Sequence, residues 1–348
     1  MQLARRRNAS VGNSFLLTML TDLAPEFDAE VYCEPEYGYV GYVEFPHGRR
    51  CFFRSTTFDI NPQAASSIAK DKDYCAKLLK HMGYSVPEGV LLFSQAFRQK
   101  MRLRNEQVAE RLGCAEAAIA FAEKWGFPLF LKPNEGSEGR GVIKVDSIEA
   151  LFEALWGLFH EEDKVLLQAP VKGRDYRIVV LDGEVVSAYE RVPFAITGDG
   201  QSSVAQLLDA GLARLRTEKR GSKISAKDPR IATELRSQNI AADFVPPDGQ
   251  IIRLLPNANL STGGTSIDVT GKISARFRDL AASIARDVGL TLAGIDIIAD
   301  NICASKGDYC VLEVNSAPGL NNFAGSSKQA KTRTRDLYRK LLAYMARA

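Results

Sequence analysis

The sequence predicts an α/β protein of the α+β kind, and three observations carry that expectation. Short apolar runs of strand length alternate with amphipathic helical stretches along the chain. A polar–apolar alternation over residues 175–191, broken at Asp182-Gly183, has the signature of a β-hairpin. Two core strands near the C-terminus, 293–299 (AGIDIIA) and 309–314 (YCVLEV), each carry one isolated acid. At 348 residues the chain can build one large core or two to three small ones.

Taken in order, residues 11–23 read as an amphipathic helix. Arg5-Arg6-Arg7 ahead of the apolar Phe15 to Leu20 superficially suggests a secretion signal, but the run is short and no small-residue cleavage site follows. Residues 37–45 and 50–54 flank Pro46-His47-Gly48 as a hairpin, in a small unit over 1–65 that needs the rest of the chain for its core. Asp71-Lys72 opens a helix with Tyr74, Leu78, Leu79 and Met82 at helical spacing, ending near Gly83. A strand over 90–93 precedes a basic stretch over 94–111 that reads as a solvated surface. A helix over 115–125 leads to the apolar strand 128–131, and Ser147 caps a helix carrying Phe152, Leu155 and Phe159. A strand over 165–171 follows. Beyond the hairpin, Ser202 or Ser203 caps a helix through Leu208, and residues 211–250 are polar with turns at Asp228-Pro229 and Pro246-Pro247. Residues 257–264 (NANLSTGG) form a polar loop, and helices are expected over 273–288 and 332–348.

Composition excludes several classes. The net charge of +3 is small and its basic residues are dispersed, so no nucleic-acid partner is expected. No apolar run is long enough for a bilayer. Six cysteines without C-x-x-C spacing read as thiols of a reducing compartment, which places the protein in the cytoplasm. His47, His81 and His160 lack ligand spacing, so neither a zinc site nor a histidine triad is expected.

The stretch with the most chemistry is FPLFLKPNEGSEGRGV, residues 127–142. Pro133 stops the strand, and Gly136, Gly139 and Gly141 follow, interleaved with Ser137, Glu138 and Arg140. Such a backbone can turn N–H groups toward phosphate oxygens, and Lys132 at the strand end adds a point charge. The same spacing also suits a plain surface loop, since it matches no phosphate-loop fingerprint. Asp296 and Glu313 sit among apolar strand neighbours, where a carboxylate is costly unless compensated. Glu313 and Asn315, two apart, share a strand face. With Asp296 alongside they suit Mg²⁺ shared with nucleotide phosphates; otherwise the acids face solvent or pair with arginine.

These residues together resemble the ATP-grasp superfamily, in particular the ligase domain of cyanophycin synthetases, over roughly residues 57–322. The resemblance implies an ATP-grasp fold in which two subdomains, 66–168 and 169–348, clamp ATP beside a small N-terminal domain over 1–65. It implies ATP and Mg²⁺ as cofactors. Lys72 and Lys132 become phosphate lysines, and Gly136, Ser137, Gly139 and Gly141 a flexible lid. Gln168, Ala169 and Val171 fall on the adenine hinge, and Asp175 on the ribose-binding acid. Arg177 and Arg191, with Lys132, take catalytic positions that neutralise the transferred phosphoryl group or a substrate carboxylate. Asp296, Glu313 and Asn315 fall on the magnesium ligands. Arg253, Asn259, Ser261, Gly263 and Asp268 become substrate candidates in or near a loop shared with cyanophycin synthetases and bifunctional glutathione-forming ligases.

The implied reaction joins a carboxylate to an amine through an acylphosphate, releasing ADP and phosphate, on amino acids or a small peptide, in a homodimer. A ligase that modifies a protein tail and a catalytically silent ATP-binding regulator are the alternatives. Two departures stand out: Gln168 replaces a common glutamate, and Leu255 stands where an arginine is expected, with Arg253 two residues earlier. No Mur-ligase-like domain follows, so cyanophycin itself is not the expected product.

Overall fold

The computed structural model describes residues 3–6, 14–136, 139–218 and 224–347. Ser137 and Glu138 of the glycine loop, the first residues of the expected helix over 11–23, and Ala348 therefore lie outside the described residues.

The chain begins with β1 (Ala4–Arg6), α1 (Phe15–Leu23), β2 (Glu30–Cys33), β3 (Val40–Glu44), β4 (Arg50–Arg54) and β5 (Thr57–Phe58), whose strands form an antiparallel sheet in sequence order. The Phe45–Arg49 turn closes the expected hairpin, although its first strand starts at Val40 rather than Tyr37. Then come α2 (Gln63–Lys70), α3 (Lys72–His81), β6 (Gly89–Phe93), α4 (Gln95–Arg102), α5 (Glu106–Glu110), α6 (Ala115–Trp125), β7 (Leu129–Pro133), β8 (Ile143–Val145), α7 (Ile148–Phe159) and β9 (Lys164–Gln168). Their strands make a second antiparallel sheet, ordered β6-β9-β7-β8. Alternation sorts its residues: Leu129 and Leu131 face α6 and α7, so Phe130 and Lys132 face the other way.

The remainder comprises β10 (Arg174–Leu181), β11 (Glu184–Val192), β12 (Ala195–Thr197), α8 (Val204–Thr217), α9 (Pro229–Ser237), β13 (Ile251–Arg253), β14 (Thr265–Asp268), α10 (Ala275–Val288), β15 (Leu292–Ala299), β16 (Tyr309–Asn315), α11 (Asn321–Ala324) and α12 (Lys328–Arg347). A third antiparallel sheet runs β14-β11-β10-β15-β16. Its central strand serves two cores by turns. Tyr176, Ile178 and Val180 pack with Phe277, Ala281 and Ile284 of α10, while Val179 and Leu181 pack with α1, α12 and the N-terminal sheet. Further along the second face, Asp175 and Arg177 line a cavity. Residues 195–218 and 224–253 form an insertion with its own core of Ile196, Val204, Leu208, Leu212, Leu235 and Ile252.

Several sequence expectations change: the strand expected over 165–171 ends at Gln168, and the polar stretch 211–250 carries the end of α8 and all of α9. In α3 the buried face is Asp73, Cys75 and Leu79, and Tyr74 and Met82 point outward, because residues four apart meet the neighbouring strands. Ser203, not Ser202, caps α8, through a reciprocal capping box with Gln206. The basic stretch folds as α4 and α5, and α4 buries none of its residues, as a solvated face should. No disulfide joins any of the six cysteines, and among the described residues no helix is long and apolar enough to cross a membrane.

Candidate active site

One cavity of about 1060 Å³ opens between the second and third sheets, the insertion and the lip of the N-terminal sheet. Every sequence-derived site residue lines it except Gly141, Gly263 and Asp268, with Ser137 outside the described residues. Those three are held elsewhere. Asp268 accepts from Thr270 N at 2.9 Å and pairs with Arg333 at 3.4 Å. Gly263, at φ +92°, closes the polar loop where a Cβ would strike Leu215. Gly141 turns beneath the glycine loop against the Pro133 ring.

The floor is the polar end of the third sheet. Arg177 opposes Asp296 across β10 and β15, and Asp296 opposes Glu313 across β15 and β16. Arg177 clamps Asp296 with two donors, Nε to Oδ1 and Nη2 to Oδ2, the latter at 2.8 Å. Arg191 gives Nε and Nη2 to Asp175 Oδ1 at 2.9 and 2.6 Å, and its Nη2 also reaches Asp296 Oδ2 at 3.0 Å. Two acids and two guanidiniums thus form one alternating network. Burial alone would push the Asp296 carboxyl up, but two arginines outweigh it and hold the group below its ordinary value. Asp175, buried with a smaller share of positive charge, is held above its ordinary value. The arginine pairing that the sequence left open for the strand acids is therefore the arrangement at Asp296. Nη1 of both arginines has no protein acceptor among the described residues.

Glu313 differs from Asp296. Its carboxylate lines the cavity, has no ion-pair or hydrogen-bond partner among the described residues, and shares a strand face with Asn315. One acid without a direct partner, one paired acid and an amide fit a hard cation shared with phosphate oxygens better than a closed protein cage. The described residues contain no cluster of three or more His, Cys, Asp or Glu suited to a metal.

The opposite wall carries the lysines. Lys132 is only 7% exposed, and burial, reinforced by neighbouring Lys72, pulls its ammonium down to about 8 despite the attraction of Glu313 and Asp296. Lys72 follows the α3 N-cap Asp71, and its Nζ donates to the Gly136 carbonyl at 2.6 Å. Asn134 joins the two elements. Its carbonyl accepts from Lys72 N at 3.3 Å and its Oδ1 from Asp73 N at 3.0 Å. At the hinge, Ala169 N–H is spent on the Glu88 carbonyl at 3.0 Å, and Pro170 has no N–H. Val171 N–H has no such partner among the described residues. The glycine loop reaches across the cavity: a Cβ on Gly139, φ +67°, would lie 1.9 Å from Asn259 Nδ2 and 2.5 Å from Asn257 Nδ2.

Sequence reasoning missed Asn134, Tyr189, Glu234 and Asn257. Tyr189 lines the cavity and stacks on Phe323 at 4.1 Å, a contact between distant segments with no local signal. Asn257 was visible in the polar loop, but only the fold shows that its Oδ1 and Nδ2 are both buried and unpaired.

Residues 89–199 match the family described as D-ala D-ala ligase C-terminus, and residues 256–344 match the RimK-like ATP-grasp domain. A cyanophycin synthetase of Nostoc is 30% identical over 267 residues, covering 75% of this chain and 28% of that protein. The glutathione biosynthesis bifunctional protein GshAB of Enterococcus faecalis is 29% identical over 272 residues, covering 73% of this chain and 32% of that protein. The chain thus spans under a third of the length of these curated relatives. Among solved structures, a bifunctional glutathione synthetase from Pasteurella multocida superposes with a TM-score of 0.55 at 21% identity, over 92% of this chain and 43% of that one.

Proposed function

From the ATP-grasp fold, and a similarity to the ATP-grasp portion of cyanophycin synthetases, we propose that this chain is an ATP-dependent carboxylate–amine ligase. The observation that carries the reading is the single cavity in which a buried lysine and a free carboxylate face a paired-arginine floor. Phosphoryl transfer depends mainly on alignment and charge neutralisation, and those groups supply both. A substrate carboxylate oxygen attacks the γ-phosphorus of ATP, the bond to the β,γ-bridging oxygen breaks, and ADP leaves. An amine then adds to the acylphosphate carbonyl, and phosphate departs with the former carboxylate oxygen.

In this reading Lys72 and Lys132 hold phosphate oxygens, Val171 N–H faces the base, and Nη1 of Arg177 and Arg191 meets the charge that develops on the transferred group. Glu313 and Asn315, with Asp296, would hold Mg²⁺, which supplies charge neutralisation at the phosphates. Gly136, Gly139 and Arg140 close over the site and keep water from the acylphosphate. The units 1–65, 66–168 and 169–348 then act as a lip and two jaws. Amino acids or a small peptide in the cytoplasm are the proposed substrates. A phosphate-release screen over pairs of amino acids and amines tests this: at least one pair should release ADP and phosphate one to one. AMP with pyrophosphate would contradict it.

A further inference from the structure

The charges of the cavity lining are unevenly spread. Among the described residues, every charged side chain on the lining comes from 72–313, and the lining drawn from 14–56 and 317–338 carries none. In this charge-free end Leu16, Leu320 and Tyr338 are buried and Phe15 is half-buried, while Tyr37 and Tyr39 stay exposed at its rim. The Phe15 and Tyr338 rings meet edge to face at 6.2 Å. Arg54 lies over the Tyr39 ring at 5.7 Å and does not itself line the cavity.

Hydrogen bonds within the protein fix the shape of this end. The buried Glu34 carboxylate accepts from Tyr37 N at 2.9 Å and from Tyr39 N at 2.6 Å, which holds the turn between them. Thr56 Oγ1 donates to the Ala317 carbonyl at 3.3 Å, and Asn61 Nδ2 to the Leu292 and Ser316 carbonyls at 2.8 Å each. The N-terminal sheet is thereby fastened to the loop after β16. A charged group brought here from water loses its hydration and meets no opposite charge, whereas a ring gains from burial and from the aromatic edges. Tyr338 adds one polar feature: it is 2% exposed, and its hydroxyl has no hydrogen-bond partner among the described residues. Burial holds that hydroxyl well above its ordinary value, so it stays a donor. The end also lies within reach of the arginine floor. Arg177 shares a strand face with Val179, which α1 and α12 already cover. A carboxylate held at Arg177 therefore has the charge-free end about 7 Å away along β10, the span of a short side chain.

We infer that this end is a side-chain subsite that takes an uncharged, ring-sized group of the carboxylate substrate and rejects an acidic one, an assignment that rests on the ligase reading for calling its occupant a substrate. Isothermal titration of the full chain, saturated with ADP and Mg²⁺, tests it without turnover. The probes are 3-phenylpropionate, 4-methylpentanoate, glutarate and 4-aminobutyrate, which share a carboxylate and differ at the far end. 3-Phenylpropionate should bind about tenfold or more tightly than glutarate or 4-aminobutyrate, with 4-methylpentanoate between. Phe15→Ala should remove most of that advantage while the protein still binds ADP. Tyr39→Lys, at an exposed position, should tighten glutarate about two- to fivefold and leave 4-aminobutyrate no tighter. Equal affinity for the four acids, undetectable binding of all four included, would overturn the subsite. So would a ring preference that survives Phe15→Ala, or a glutarate affinity that Tyr39→Lys leaves unchanged. Turnover with ATP and an amine separates the two readings. A ring preference without ADP release on any pair would sink the ligase reading and leave the subsite. Faster ADP release with acidic than with ring-bearing carboxylates would sink the subsite and leave the ligase.

Discussion

Asp296→Asn is expected to lower both stability and turnover, whereas Glu313→Gln should lower turnover alone. The two acids face each other across adjacent strands, yet their surroundings differ. Asp296 is 5% exposed as a side chain and compensates Arg177 and Arg191. Losing its charge leaves two buried guanidiniums sharing only Asp175, and breaking such a buried pair costs about 3–5 kcal/mol. Because the folded carboxyl is held down, this contribution is present above the ordinary value of 3.8 and is lost as pH falls through the folded value. Glu313 supports no partner among the described residues, so glutamine should fit its place with little change in melting. Its turnover should still drop about 100- to 1000-fold, as for loss of a well-placed electrostatic group. Melting and turnover measured on one preparation check both halves. A Glu313→Gln protein that turns over normally across a magnesium titration would remove Glu313 from the site.

Lys132→Met should do the reverse of an ordinary active-site substitution: stabilise the free protein while abolishing most turnover. Burial depresses the ammonium from 10.5 to about 8, so folding bears the cost of a buried charge. The folded state binds fewer protons than the unfolded state between those values, so stability rises with pH there. The cost is therefore fully present below pH 8 and fades toward pH 10.5. It amounts to about 3 kcal/mol at neutral pH, which should raise Tm by about 3–5 °C at pH 7 and by almost nothing at pH 10.5. Turnover should fall about 100- to 1000-fold. In the unaltered protein, nucleotide phosphates should restore the ammonium, so ATP binding at pH 8.5 should take up a proton. Titration in buffers of different ionisation enthalpy reads that uptake, and its persistence in Lys132→Met would assign it to another group.

How much of this was legible in the sequence varied with the range of the interaction. Period-two alternation puts Leu129 and Leu131 on one face and Lys132 on the other, and the structure uses that sorting to aim the lysine into the cavity. The hairpin 174–192, the acid-bearing strands and the C-terminal helix were likewise local patterns. The β10–β15 register was not local. It sets Arg177 opposite Asp296, and no spacing along the chain reveals that a metal-suited acid is also the anchor of two arginines. Glu234 escaped for the same reason: its helix, with only Ile231 and Leu235 as apolar landmarks, lies inside a largely polar stretch, and its partner Arg253 is 19 residues away. Asp268 and Gly263 looked available because their loop is polar, but Arg333 and Leu215, from elements distant in sequence, hold them off the cavity.

The most direct test of the central claim follows one oxygen. Once the screen yields a working pair, the carboxylate substrate is labelled with ¹⁸O in its carboxyl group and the released phosphate is read by mass spectrometry. An acylphosphate route transfers one labelled oxygen to each phosphate and leaves ADP unlabelled. Label in AMP, or phosphate free of label, would contradict the account.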